Sequence, residues 1–164
     1  MNGNQPFRLY TIGFAGHSAE EFFELLKESG IERVIDIRLR NTNQIAGFTK
    51  KNDLKYFLKE LMNCEYHHFE FLAPTAEILD AHRKGGPWSA YVEKFIPLMK
   101  ERKAIERLDI NFFKEKRSCL LCSEHTPDEC HRRLVSEMMK EKWPELEVTH
   151  LISLKQQRAK LIRV

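Results

Sequence analysis

Residues 122–133, Cys-Ser-Glu-His-Thr-Pro-Asp-Glu-Cys-His-Arg-Arg, place two thiols, two imidazoles, three carboxylates and two guanidiniums in twelve positions. A thiol near a histidine and a helix N-terminus has a lowered pKa and becomes nucleophilic. Capping accounts for part of this density. Thr126 at the N-cap, Pro127 in the first turn and Glu129 three residues after the cap predict a helix over 126–143. Asp128 and Glu129 then suit the positive end of that helix. Capping leaves Cys122, Glu124, Cys130, His131 and Arg132 without a structural duty. On the predicted helix, Cys130 and His131 fall in the second turn, one turn before Leu134 and Val135, and lean toward the sheet. The bland alternative makes Cys130 a small buried hydrophobe and His131 a packing residue.

A zinc site is the competing chemistry, because Cys119, Cys122, Cys130 and His131 are four soft ligands. Side chains three apart on a strand point to opposite faces, and Ser-Cys-Leu-Leu-Cys contains no turn residue. No metal ligand is therefore assigned, and no cofactor motif is present.

Two further stretches carry polar chemistry. Asp36 and Arg38 are two apart at the end of an apolar strand and share a face, as a local ion pair or as half of a site. Arg40, Asn41, Thr42, Asn43 and Gln44 follow as a loop rich in hydrogen-bonding groups, suited to binding or to an ordinary surface turn. Near the start, Gly13-Phe14-Ala15-Gly16-His17-Ser18 has two glycines three apart before a helix, which lets backbone N–H groups approach an anion. It is neither a dinucleotide fingerprint nor a P-loop, and Ser18 with Glu21 reads as a capping box.

The elements that must position these groups alternate. Strands are predicted at 8–13, 32–38, 65–71, 117–122 and 145–152. Helices are predicted at 19–30, 52–63, 75–86 and 87–103, with a kink or break at Pro97, then at 104–116 and 126–143. Alternation with buried strands implies a single α/β domain over 1–152, with a mostly parallel sheet of about five strands flanked by helices in a Rossmann-like three-layer arrangement. Ligands of such sheets sit beyond the carboxyl ends of the strands, which points to the loops at 13–18, 36–48, after Phe71 and at 122–131.

The composition is that of a globular protein, with 42% hydrophobic and 31% charged residues, and no apolar run approaches the roughly 18 residues of a membrane span. The N-terminal residues carry no secretory pattern, and four cysteines are too few for a disulfide scaffold, so a reducing cytoplasm is expected. The net charge is +3, but Lys155, Arg158, Lys160 and Arg163 supply a basic tail at 153–164, leaving the body near neutral.

Thr-Ile-Gly at 11–13, Asp-x-Arg at 36–38 and the spacing Cys122-x-Glu124, five residues, Cys130-His131-Arg132 together resemble the domain-of-unknown-function 488 family. The resemblance spans about residues 8–152 and implies that the three stretches belong to one site. Much of that family has proline and serine after Asp-x-Arg, whereas this chain has Leu-Arg-Asn-Thr-Asn-Gln-Ile-Ala-Gly-Phe. The resemblance implies no particular reaction.

The expected function is that of an enzyme, a hydrolase or group transferase. Asp36, Glu124, Cys130 and His131 are its candidate acid, base and nucleophile. Gly13, Phe14, Arg38, Asn41, Gln44, Cys122 and Arg132 are candidate substrate contacts. Arginines beside helix N-termini favour a phosphate-bearing small molecule or nucleic acid as partner. The alternatives are a non-catalytic nucleotide- or nucleic-acid-binding module and a zinc-stabilised domain.

Overall fold

The protein is described from a computed structural model, over residues 5–42 and 46–153. Gln44 and the tail beyond Ser153 lie outside the described residues. Five parallel strands form one sheet: β1 (Phe7–Gly13), β2 (Arg33–Asp36), β3 (Glu65–His68), β4 (Ser118–Cys122) and β5 (Leu146–Leu151), in the order β3-β2-β4-β1-β5. β2 and β4 are buried at every position, as strands covered on both faces must be.

Helices α1 (Ala19–Glu28) and α2 (Lys51–Met62) cover one face. Phe22, Phe23 and Leu26 of α1 and Leu54 and Leu58 of α2 pack there on Ile12, Val34, Cys119 and Leu121. The other face carries α3 (Ala76–Arg83), α4 (Trp88–Glu101), α5 (Ile110–Glu115) and α6 (His131–Lys142). There Tyr91, Phe95, Phe113, Leu134, Val135 and Met139 close over Leu9, Ile35 and Leu120. The result is a three-layer α/β fold. Among the described residues, no helix is long and apolar enough to cross a membrane.

The chain moves from β1 to β2 to β3 in one direction along the sheet, with its helices on the first face. It returns to β4 and continues to β5 in the opposite direction, with its helices on the second face. Reversing both direction and face keeps a single crossover hand. It also isolates β4: the strands on either side of it send their chains to one face, and β4 sends its chain to the other. A crevice opens at such a switch point, and Cys122 is the last residue of β4. Gly13 pairs in register with Cys122, and Asp36 with Leu121, so these predicted residues reach one edge of the sheet together.

Several boundaries differ from the expectation. The helix predicted from Thr126 begins at His131, with Cys130 as an extended N-cap (φ −139°, ψ 137°) that makes no side-chain cap bond. The local capping signal loses to tertiary contacts, since Arg132 is drawn into the core, donating to Thr11 Oγ1 and to the carbonyl of Glu124. Helix over 104–116 shrinks to α5, capped by Asp109, after a turn in which Lys103 takes a left-handed conformation (φ 51°). Pro97 lies inside α4 without ending it. The strand expected to reach Phe71 stops at His68, and a 3-10 turn over Glu70–Leu72 follows.

Candidate functional site

β4 delivers Cys122 to the switch point, and the loop 123–130 brings Cys130 and His131 back to it as the N-cap and first residue of α6. Nδ1 of His131 stands 3.4 Å from Sγ of Cys122, and Nε2 is 2.8 Å from the carbonyl oxygen of Ile37. A carbonyl only accepts, so Nε2 carries a hydrogen and Nδ1 faces the thiol. All three side chains are buried: Cys122 is 3% exposed, Cys130 1% and His131 6%.

Burial by itself raises a thiol pKa, but at Cys122 it is outweighed by a hydrogen bond from Cys130 and by the nearby His131 and Arg132, which together hold this thiol well below its ordinary value. For His131, burial opposes the charged ring, yet the facing Cys122 raises it on balance. Cys130 moves the opposite way, pushed well up by burial and by the neighbouring Cys122 charge. Both shifts favour the charged forms of Cys122 and His131, and the amino end of α6 adds to the stabilisation of negative charge at the thiol.

Arg132 lies fully buried beneath this pair. It donates to Thr11 Oγ1 at 3.2 Å and to the Glu124 carbonyl at 2.7 Å, and Nη1 stands 3.6 Å from Cys130 Sγ. Its role among the described contacts is to fix the loop. Gly13 serves the same contact from the other side. A Cβ there would sit 1.6 Å from the Glu124 carbonyl oxygen and 2.6 Å from Nη1 of Arg132, so only glycine admits the loop.

Asp36 is wholly buried and is held by its neighbours rather than facing open space. Arg38 donates to it from Nε and Nη2, each at 2.8 Å, Tyr66 Oη at 2.5 Å and Asn41 Nδ2 at 3.1 Å. Burial opposes its charge, but Arg38 and Tyr66 win and keep its pKa below the usual carboxylate value. Arg38 also donates from Nη2 to the Thr49 carbonyl, and its remaining Nη1 is buried with no hydrogen-bond partner among the described residues. Phe14 lies with its ring 5.5 Å from the Arg38 guanidinium.

A narrow cleft of about 30 Å³ opens over Cys122, Cys130 and His131, lined also by Arg38 and Glu124. Its far wall comes from α3 and α4: His82, Arg83, Trp88 and Tyr91. Trp88 and Tyr91 stack at 4.8 Å. Burial and the Cys122 charge raise the pKa of Glu124 at the mouth. The exposed pair Arg40–Asp80, at 2.7 Å, ties the loop after β2 to α3. An adjoining hollow, lined by Phe14, Asn41, Lys51 and His68, shares Arg40, Arg83 and Ser123 with the cleft.

Arg38, Cys122, Glu124, Cys130 and His131 thus meet in one cleft. Asp36 and Arg132 stand behind it as buried supports, and Phe14 and Asn41 face the adjoining hollow. Sequence reasoning missed the far wall. Trp88 and Tyr91 have the helical spacing of an ordinary core stripe, and His82-Arg83 at the end of a short helix is the one available signal.

Ligating atoms of Cys122, Cys130 and His131 lie within 4.8 Å of one another, a donor composition that soft divalent metals accept. They occupy three corners, whereas structural zinc sites are closed by four. Cys119, the fourth soft donor in the sequence, packs in the opposite layer with α1 and α2.

Residues 18–139 match the family model described as "Domain of unknown function DUF488", and the chain belongs to that family. Comparison with curated proteins and with solved structures finds no match to this chain.

Proposed function

We propose that this member of the domain-of-unknown-function 488 family is an enzyme, a hydrolase or group transferase, with Cys122 as nucleophile and a phosphate-bearing small molecule, such as a nucleotide, as substrate. The observation that carries the reading is the contact of 3.4 Å between Cys122 Sγ and His131 Nδ1 at the foot of the cleft. Residue spacing favoured Cys130 as the nucleophile. The imidazole of His131 facing Cys122 at 3.4 Å favours Cys122 instead.

In the proposed reaction the thiolate of Cys122 bonds to the electrophilic carbon or phosphorus of the substrate. The bond to the leaving group breaks, and the leaving group takes the proton from His131. Water or an acceptor alcohol then attacks the substrate–sulfur bond, giving its proton to His131 or Glu124 and returning the thiolate. Nη1 of Arg38, without a partner among the described residues, and the guanidinium of Arg83 supply anion contacts, and Trp88 in the cleft wall suits a flat ring. Asp36 enters as a support for that Arg38 contact rather than as an acid or base.

Protection from alkylation tests the reading before any substrate is identified. Inorganic phosphate or adenosine monophosphate is expected to slow iodoacetamide labelling of Cys122, and Arg83→Ala to weaken that protection. Intact mass after incubation with a nucleotide panel should then reveal an adduct on wild type that Cys122→Ser lacks. Protection without any thiol-dependent turnover would leave a non-catalytic binding module. No protection by any anion would overturn the assignment of substrate class.

A further inference from the structure

We infer that Cys122 and Cys130 form a reversible oxidation site, at which hydrogen peroxide converts the two thiols into a disulfide. The inference rests on the reactive placement of Cys122 proposed above, but on no substrate of that reaction.

Both thiols are free, and their sulfur atoms lie within 4.8 Å of each other and of a ring nitrogen of His131. A disulfide needs about 2.05 Å, so closure requires a sulfur displacement of less than about 3 Å. The chain can supply that movement at Cys130. This residue is an N-cap in extended conformation at the end of a loop, and its side chain makes no cap bond to the helix. Cys122 is anchored as the last residue of β4, so Cys130 approaches and Cys122 stays.

The other two cysteines lack this setting. Cys119 is wholly buried among α1 and α2, and Cys64 lies in the same layer. Burial pushes the Cys64 thiol up to about 12, and Cys119 is likewise raised by burial. Among the described residues neither is hydrogen-bonded to an imidazole, and each donates to a backbone carbonyl instead. The cleft exposes only 3% of Cys122 and 1% of Cys130, which favours a small oxidant over a bulky disulfide.

The steps balance. The Cys122 thiolate attacks one oxygen of hydrogen peroxide, the O–O bond breaks, and the departing hydroxide takes the proton of the His131 imidazolium to become water. Cys122 is now a sulfenic acid. Cys130 then yields its proton to the neutral His131, with Arg132 Nη1 at 3.6 Å stabilising the sulfur charge that forms. The Cys130 sulfur attacks Cys122 Sγ, the S–O bond breaks, and the second hydroxide recovers that proton from His131. Two thiols lose two electrons, and one peroxide becomes two waters. A small dithiol reverses the link by exchange.

The full-length protein, reduced and treated with stoichiometric hydrogen peroxide, should lose two hydrogens by intact mass. Its free thiols should fall from four to two, with the link mapping to residues 122 and 130. Dithiothreitol should restore all four. Cys130→Ser and Cys130→Ala should instead trap a dimedone-reactive sulfenic acid at Cys122, and Cys122→Ser should resist oxidation. Stable oxygen additions on wild-type Cys122, or a link between Cys64 and Cys119, would overturn the inference. So would a stoichiometric metal that has to be chelated before either thiol reacts. Failure of phosphate protection with a correctly mapped link would remove the proposed substrate class and leave the oxidation site standing.

Discussion

His131 holds Nδ1 3.4 Å from Cys122 Sγ because its other nitrogen is pinned 2.8 Å from the Ile37 carbonyl, on a strand exit 94 residues earlier in the chain. That anchor fixes which nitrogen faces the thiol, the arrangement by which a backbone carbonyl orients a reactive imidazole. With Cys122 lowered and His131 raised, the thiolate is present well below the ordinary thiol range of about 8.5. Labelling of Cys122 by iodoacetamide should therefore persist at pH 6, and should fall only as acid protonates the thiolate. His131→Asn should move the labelling profile back toward about 8.5 and slow the reaction at pH 6 by roughly tenfold or more. A profile unchanged by that substitution would show that His131 does not set the state of Cys122.

The buried pair Asp36–Arg38 should be the most expensive ion pair to break. Both partners are almost inaccessible, at 0% and 2% exposed, and the contact has two parallel hydrogen bonds. Asp36→Asn leaves the guanidinium buried without its counter-charge, which costs about 3–5 kcal/mol in urea denaturation. The double variant with Arg38→Met should cost less than the sum of the two singles. Its pH dependence has a definite sign. Asp36 has a folded pKa below its unfolded value of about 3.9. Its contribution is complete above that unfolded value and is lost as pH falls through the lower folded one. The gap between wild type and Asp36→Asn should thus be constant at neutral pH and narrow only in strong acid.

Gly13 tests the contact between the first loop and the Cys122 loop. The Glu124 carbonyl oxygen lies 1.6 Å from the point a methyl carbon on Gly13 would occupy, and because that oxygen belongs to the backbone, no side-chain rotation relieves the clash. Gly13→Ala should lower stability by roughly 1–3 kcal/mol or more through overpacking. Because the Arg132–Glu124 bond sits in the same space, labelling of Cys122 should also change. A fully stable Gly13→Ala variant with unaltered labelling would mean that the two loops do not meet as described.

Much of the fold was legible because it depends on local pattern. Apolar or alternating stretches at five places predict the five strands, and Ser18 with Glu21 predicts a capping box that the structure contains in both directions. The site was legible in part for the same reason: strand ends at Gly13, Asp36 and Cys122 are in register, so the rule that loops at carboxyl ends converge had something to act on. What did not show was long-range. Nothing near Tyr66 in sequence indicates that its hydroxyl will reach Asp36, 30 residues earlier. Nor does the stripe Trp88–Tyr91 indicate that one end of it borders a cleft rather than a core. Thr126-Pro127 misled because a correct local signal competes with a buried arginine that sets where α6 starts.

That competition yields a paired measurement on two capping residues. Ser18 accepts from the Glu21 N–H at 3.1 Å while the Glu21 carboxylate accepts from the Ser18 N–H at 3.1 Å, so Ser18→Ala should cost about 1 kcal/mol. Thr126 precedes the first helical residue by five positions, and Cys130 occupies the N-cap in its place. Thr126→Ala should therefore change stability by less than about 0.5 kcal/mol, the range of a substitution that removes no cap. Equal losses at the two positions in thermal or urea unfolding would restore the helix start to Thr126. Cys130 and His131 would then return to the second turn, and the contact on which the thiolate chemistry depends would have to be redrawn.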